Sequence, residues 1–97
     1  MRLIWAEGAI TDLIQIRDYI AEYNPDAAEA IALRLLEIAE LLPGHPLMGV
    51  ATLKQGIRRL VVPQSVYSLI YRIADDDVEI IEVFDGRRKS PQTDISA

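Results

Sequence analysis

The sequence predicts an α+β domain in the order β-α-α-β-β-β, a helical hairpin packed on one face of a small, mainly antiparallel sheet. Three observations carry this reading. Apolar residues recur at helical steps between residues 9 and 42. Beyond residue 56 the period falls to that of strands. The later segments are joined by short connections, which suit an antiparallel meander.

The elements follow in order. Leu3-Ile4-Trp5, stopped by Glu7-Gly8, reads as a brief strand. Ala9, Leu13, Ile16, Ile20 and Tyr23 stack on one face of a first helix, with Thr11, Gln15, Asp18 and Glu22 opposite. Asn24-Pro25 ends that helix and starts a second, Asn24 as N-cap and Pro25 in the first turn. The second helix is expected from Pro25 to about Leu42, striped by Ala28, Ile31, Leu35, Ile38 and Leu42. Ala32 and Ala39 widen the stripe, while Leu33, Leu36 and Leu41 fall partly outside it. One contact does not use so much apolar surface. The helix is either sandwiched between the first helix and the sheet or offers part of itself to another protein. Pro43-Gly44-His45-Pro46 terminates it. Strands are expected over Ile57–Val62, Val66–Ile73 and Val78–Phe84, with Asp75-Asp76-Asp77 as the last turn.

Length and charge bound what such a domain does. Its 97 residues make one domain spanning 1–97, of which 91–97 reads as a flexible tail. Cysteine is absent, which excludes disulfides, thiolate metal sites and a cysteine nucleophile. The net charge of −5 is the wrong sign for a general polyanion binder. All of it lies in residues 1–44, with eight acidic and three basic side chains, whereas 45–97 carries seven of each. No signal-peptide core or membrane-spanning run stands out, and the chain reads as cytoplasmic.

Catalytic chemistry finds little to work with. His45 is the single histidine, too little for a Ser-His-Asp arrangement to be argued. The triple Asp lacks the spaced ligands of a calcium loop, and no Gly-rich phosphate loop or metal-binding cluster is present. No metal and no cofactor is expected. Arg58 and Arg59 stand out because neighbouring strand residues point to opposite faces, so one must meet the covered side. A buried Arg needs a partner. An ion pair fixing the sheet to the hairpin is one reading, and a contact with a target or partner is the other. Tyr71, on an apolar strand face near Arg58 or Arg72, is the tyrosine to follow.

An ordered set of segments resembles the RelE/ParE superfamily of bacterial toxins, in its ParE-like branch. These are Trp5-Ala6-Glu7, Asp12-Leu13, Asp18-Tyr19-Ile20 and Asn24-Pro25-Asp26-Ala27-Ala28, then Gly56-Ile57-Arg58-Arg59-Leu60-Val61-Val62-Pro63. Tyr67-Ser68-Leu69-Ile70-Tyr71-Arg72-Ile73 and Val78-Glu79-Ile80-Ile81-Glu82-Val83 follow, and Gly86-Arg87-Arg88 closes the set. The resemblance runs from residue 3 to about residue 91. It implies the toxin of a type II toxin–antitoxin module, hetero-oligomeric with a small DNA-binding antitoxin that wraps around it, with no membrane partner and no sequence-specific nucleic-acid binding of its own.

The superfamily divides by target. RelE-like toxins cleave mRNA on the ribosome, and ParE-like toxins poison DNA gyrase. Cleavage by the ribose 2′-OH needs a base, an acid and cations for the crowded phosphate. Here Ser68 stands where RelE-like ribonucleases commonly carry a basic residue, Asp85 where several relatives carry His, and Lys54 alone represents their Lys-rich stretch. The resemblance therefore implies a gyrase poison with no catalytic residue. Its target-binding residues are expected at Arg58, Arg72, Arg87, Arg88 and Lys89, and its antitoxin-binding residues at Leu33, Leu36, Leu41, Tyr67 and Tyr71. Two alternatives remain open: a ribonuclease working through Arg58, Arg59 and Tyr71, and a degenerate toxin that keeps only antitoxin binding.

Overall fold

The computed structural model describes residues 1–96. Its elements are β1 (Arg2–Trp5), α1 (Glu7–Ala21), α2 (Pro25–Glu40), β2 (Val50–Ala51), β3 (Ile57–Val61), β4 (Tyr67–Ala74) and β5 (Asp77–Asp85). Both helices lie where the periodicity places them. Asn24 caps α2, its side-chain oxygen accepting the Ala27 N–H at 3.1 Å.

The strands form one sheet in the order β1-β5-β4-β3-β2. The expected meander is present, β3 to β5 running antiparallel, but β1 joins β5 in parallel, with Leu3 opposite Val78 and Trp5 opposite Ile80. The two-residue β2 has no periodicity to betray it and sits against Arg58 and Arg59. The third residue of the expected turn, Asp77, belongs to β5, where Arg2 donates two hydrogen bonds of 3.0 Å to its carboxylate. Asp75 makes the turn itself, at φ 55°.

The core lies between the sheet and the helices. Ala9, Leu35, Ala39 and Leu42 meet Leu69, Tyr71, Val78, Ile80 and Val83 from the sheet. Tyr23 departs from the expected stripe. It follows the end of α1, is 75% exposed, and packs edge-on against Tyr19. Leu33, Leu36 and Leu41 stay half-exposed, so α2 is buried along one side only.

The second face of the sheet is also covered. Ser68 and Ile70 are as buried as the core residues of β4, although strand alternation turns them away from the helices. The segment expected to be a flexible tail lies tied down close by. Glu82, opposite Ile70 on β5, accepts the N–H groups of Gln92 and Thr93 and the Thr93 hydroxyl at 2.7–3.0 Å. Further on, the Lys54 N–H donates to the Ile95 carbonyl, and the Lys54 ammonium lies 3.7 Å from Asp94. Ala97 lies outside the described residues.

Candidate functional site

The C-terminal corner carries the basic run. Gly86 passes so close to the β3–β4 connection that a Cβ on it would lie 2.8 Å from the Val66 carbonyl oxygen, and its own N–H donates to that oxygen at 2.7 Å. Only glycine fits there without displacement. The contact fixes where Arg87, Arg88 and Lys89 leave the sheet. Arg87 turns back and donates to both Asp85 oxygens at 3.0 and 2.8 Å. Hydrogen bonding to this guanidinium holds the Asp85 carboxyl below the usual carboxylate range and raises Arg87 in turn. Among the described residues no carboxylate pairs with Arg88 or Lys89, which leaves these two as the open cations of the run.

The other expected target-binding arginines are engaged. Arg72 donates to Glu79 at 2.6 Å across β4 and β5. Arg58 makes no ion pair with the helical hairpin. Its Nε donates to the Gly49 carbonyl at 3.0 Å and Nη2 to the Leu47 carbonyl at 3.4 Å, bracing the loop that follows α2.

That loop also claims Tyr71. The ring is fully buried, and its hydroxyl donates to the Pro46 carbonyl at 2.7 Å while accepting the Gly49 N–H at 2.9 Å. A Cβ on Gly49 would lie 2.7 Å from the same hydroxyl. Tyr71 has no surface to give an antitoxin in this fold, and Tyr67 is 5% exposed. Both tyrosines were expected as partner contacts. The Tyr71 ring is core instead, because β4 runs through the middle of the sheet, while Tyr67, although largely buried, lines the groove beside α1.

Arg59 points away from Arg58 and Tyr71. Its Nε donates to the buried Ser68 hydroxyl at 3.1 Å, and the guanidinium carbon stands 5.3 Å from the centre of the Phe84 ring. Arg58, Arg59 and Tyr71 therefore do not converge. The first and third lie on the helix-covered face and the second on the opposite one.

One feature had no periodicity signal at all. A groove of about 550 Å³ opens between α1 and the C-terminal segment, lined among others by Asp12, Ile16, Tyr19, Val83, Asp85 and Arg88. Asp12 accepts the Val83 N–H at 3.0 Å, a contact spanning most of the chain length. Burial raises the Asp12 carboxyl above its ordinary value, and the Val83 hydrogen bond opposes this. Tyr67, further along, is raised by burial and then by the neighbouring Asp85 charge.

On the outer side of the helical hairpin, Leu33 and Leu36 keep substantial exposure, as does Leu41 at the end of α2. Ile10 and Ile14, absent from the expected partner contacts, are exposed on α1 to a similar degree and continue the line of Arg17 and Ala21. A shallow crevice between Arg17, Ala21, Ala28, Glu29 and Leu33 joins the two helices. His45 closes the turn that follows α2, its backbone N–H donating to the Leu41 and Leu42 carbonyls. No helix among the described residues is long and apolar enough to cross a membrane, and no group of three or more His, Asp or Glu there is placed to hold a metal ion.

The family model described as the ParE toxin of the type II toxin–antitoxin system parDE matches residues 3–90. Toxin RelE2 of Caulobacter vibrioides is 38% identical over 85 residues, covering 84% of this chain and 91% of that protein. A solved chain described as the chromosomal ParDE TA system from P. aeruginosa shares the fold, with a TM-score of 0.78 at 22% identity over 88% of this chain and 95% of its own.

Proposed function

The chain belongs to the ParE toxin family of type II toxin–antitoxin systems, and we propose that it acts by holding DNA gyrase in its DNA-cleaved state until a cognate antitoxin neutralises it. The observation that carries this reading is the separation of the ribonuclease candidates. RNA cleavage needs a base, an acid and a phosphate-binding cation around one reacting atom. Tyr71 is sealed by two hydrogen bonds, Arg58 is bound to backbone carbonyls, and Arg59 lies across the sheet from both. A protein that works by binding needs no such convergence.

Arg88 and Lys89 are the target contacts in this reading, presented by the Gly86 corner. Arg87 supports the surface around them through Asp85, whereas Arg58 and Arg72 are held elsewhere on the sheet by the Gly49 loop and by Glu79. The antitoxin covers apolar surface on the outer hairpin at Leu33, Leu36 and Leu41, with Ile10 and Ile14 extending it. Burying such half-exposed side chains against a partner stabilises a small domain.

The test is a supercoiling and DNA-cleavage assay with purified gyrase, run beside a translating extract programmed with a defined mRNA. Accumulation of cleaved DNA with intact mRNA is expected. Cleaved mRNA with unaffected supercoiling overturns the proposal. The likeness to a protein called Toxin RelE2 favours that second outcome, in which Arg58→Ala and Arg59→Ala would each abolish RNA cleavage.

A further inference from the structure

Three arginines in the body of the domain meet no carboxylate among the described residues. Arg34 and Arg58 are spent on backbone carbonyls. Arg59 is not. Its Nε–H donates to the Ser68 hydroxyl at 3.1 Å and its guanidinium carbon stands 5.3 Å from the centre of the Phe84 ring. The two Nη groups, which carry four of the five guanidinium N–H donors, meet no acceptor among the described residues. The residue is half-buried. A guanidinium drawn partly out of water without a negative partner is costly, and an incoming anion relieves that cost.

Arg59 is also held where a partner reaches it. Its Nη2 lies 3.9 Å from the place a Cβ on Gly86 would take, and the Val66 carbonyl oxygen lies 2.8 Å from the same place. The guanidinium and the β3–β4 connection therefore meet at the corner that launches the basic run. The second face of the sheet, covered at Ser68 and Ile70, is open at this end. Val61, two residues beyond Arg59 on the same face of β3, is 60% exposed, and Val66 is 42% exposed. Arg88 lines the groove beside α1. Cations thus stand at both faces of one end of the sheet.

We infer that Arg59, bordered by Val61 and Val66, is a target contact on the second face of the sheet, and that it takes a protein carboxylate flanked by an apolar side chain. The inference rests on the gyrase reading and names the chemistry gyrase offers there. A carboxylate fits the free end of the guanidinium, where Nη1 and Nη2 donate side by side. Ser68 and Phe84 already fix the side chain, so little rotamer freedom is lost when the partner arrives. The rim selects a protein over a nucleic acid. Two exposed valines match an apolar side chain, whereas a sugar–phosphate backbone leaves them uncovered. The net charge of −5 opposes a polyanion as well. An arginine anchor ringed by apolar contacts is the arrangement that concentrates binding energy at protein interfaces.

The experiment titrates purified gyrase with the toxin and two variants at low and high salt, beside thermal unfolding of each free toxin and titration of a DNA duplex without gyrase. Arg59→Met removes the charge and keeps an apolar stem over Phe84. It is expected to bind gyrase at least about tenfold more weakly at low salt, with a smaller salt dependence. Its unfolding midpoint stays level with the wild type or rises, because no internal ion pair is lost. Val61→Glu offers Arg59 a carboxylate from the same chain at an exposed position. Its midpoint does not fall, and gyrase binding again weakens at least about tenfold, because the internal carboxylate occupies the place of the target's. Val61→Glu carries the test alone if Arg59→Met does not fold. Wild-type affinity for gyrase in either folded variant overturns the inference and leaves the gyrase reading standing. Binding of the wild type to the duplex alone, lost in Arg59→Met, overturns the carboxylate in favour of a phosphate. A wild-type toxin that does not bind gyrase overturns both readings.

Discussion

Removing the Tyr71 hydroxyl separates a structural tyrosine from a catalytic one. In Tyr71→Phe the ring still fills its place, but the Gly49 N–H loses its acceptor and the Pro46 carbonyl its donor. Gly49 is buried, so its amide cannot turn to water without opening the loop. Stranding a buried donor or acceptor costs about 1–3 kcal/mol, and about 2 kcal/mol is the central expectation here. For a domain of this size each kcal/mol lowers the unfolding midpoint by roughly 4–8 °C, so a fall of about 8–16 °C is expected. Thermal and urea unfolding followed by circular dichroism read it directly. The residual folded protein at low temperature should keep its effect on gyrase. A variant with wild-type stability and no activity would refute the argument, because the hydroxyl would then be acting on a target and not on the loop.

Other outcomes follow from the same geometry. Gly49→Ala drives a methyl into the Tyr71 hydroxyl and the Arg59 carbonyl, and about 1–3 kcal/mol of destabilisation is expected in urea titration. Asn24→Ala loses the α2 cap and should cost about 1 kcal/mol in the same assay. Arg88→Ala with Lys89→Ala should relieve growth arrest without changing the unfolding midpoint, while Arg72→Ala, whose charge is held by Glu79, should leave arrest intact. Asp85 and Asp12 have opposite signs with pH. Arg87 lowers the folded pKa of Asp85 from 3.8, so its stabilisation is complete above that value and fades as pH falls. Asp85→Asn should therefore flatten the loss of stability on acidification. The raised carboxyl of Asp12 binds its proton more tightly when folded, so its ionisation subtracts stability as pH rises through and above 3.8. Asp12→Asn should remove that decline in unfolding curves collected from acid to neutral pH.

Periodicity revealed what depends on neighbours in sequence. The stripes of α1 and α2, the Asn24 cap and the alternation of β3 to β5 are local, and the helices and strands formed there. Tyr23 misled because its spacing fits the stripe, whereas α1 ends at Ala21 and releases it into the turn. The roles of Arg58 and Tyr71 are set by the loop through Pro46, Leu47 and Gly49, which folds back on β3 and β4 without any repeating pattern. An ion pair to the hairpin was one of two readings of the Arg58-Arg59 pair, and Arg58 instead meets two backbone carbonyls. The groove was invisible for a different reason. It exists because β1 lies parallel to β5 and ends early, a register between distant segments that no window of sequence contains. Asp12 could have drawn notice as an acid on the margin of an apolar helix stripe.

The pairing of β1 with β5 also sets when the protein can exist. Arg2 lies opposite Asp77, so the sheet is closed by segments from opposite ends of the described chain. Contacts this distant form late and slowly, because closing the intervening loop costs entropy before the contacts return anything. During synthesis the hairpin helices emerge well before β5, the strand against which α1 packs. A chain cut short ahead of β5 leaves β1 unpaired and the apolar stripe of α1 uncovered. Such a fragment is material for proteolysis. The order of the strands thus makes the packed fold a property of a chain that has reached β5.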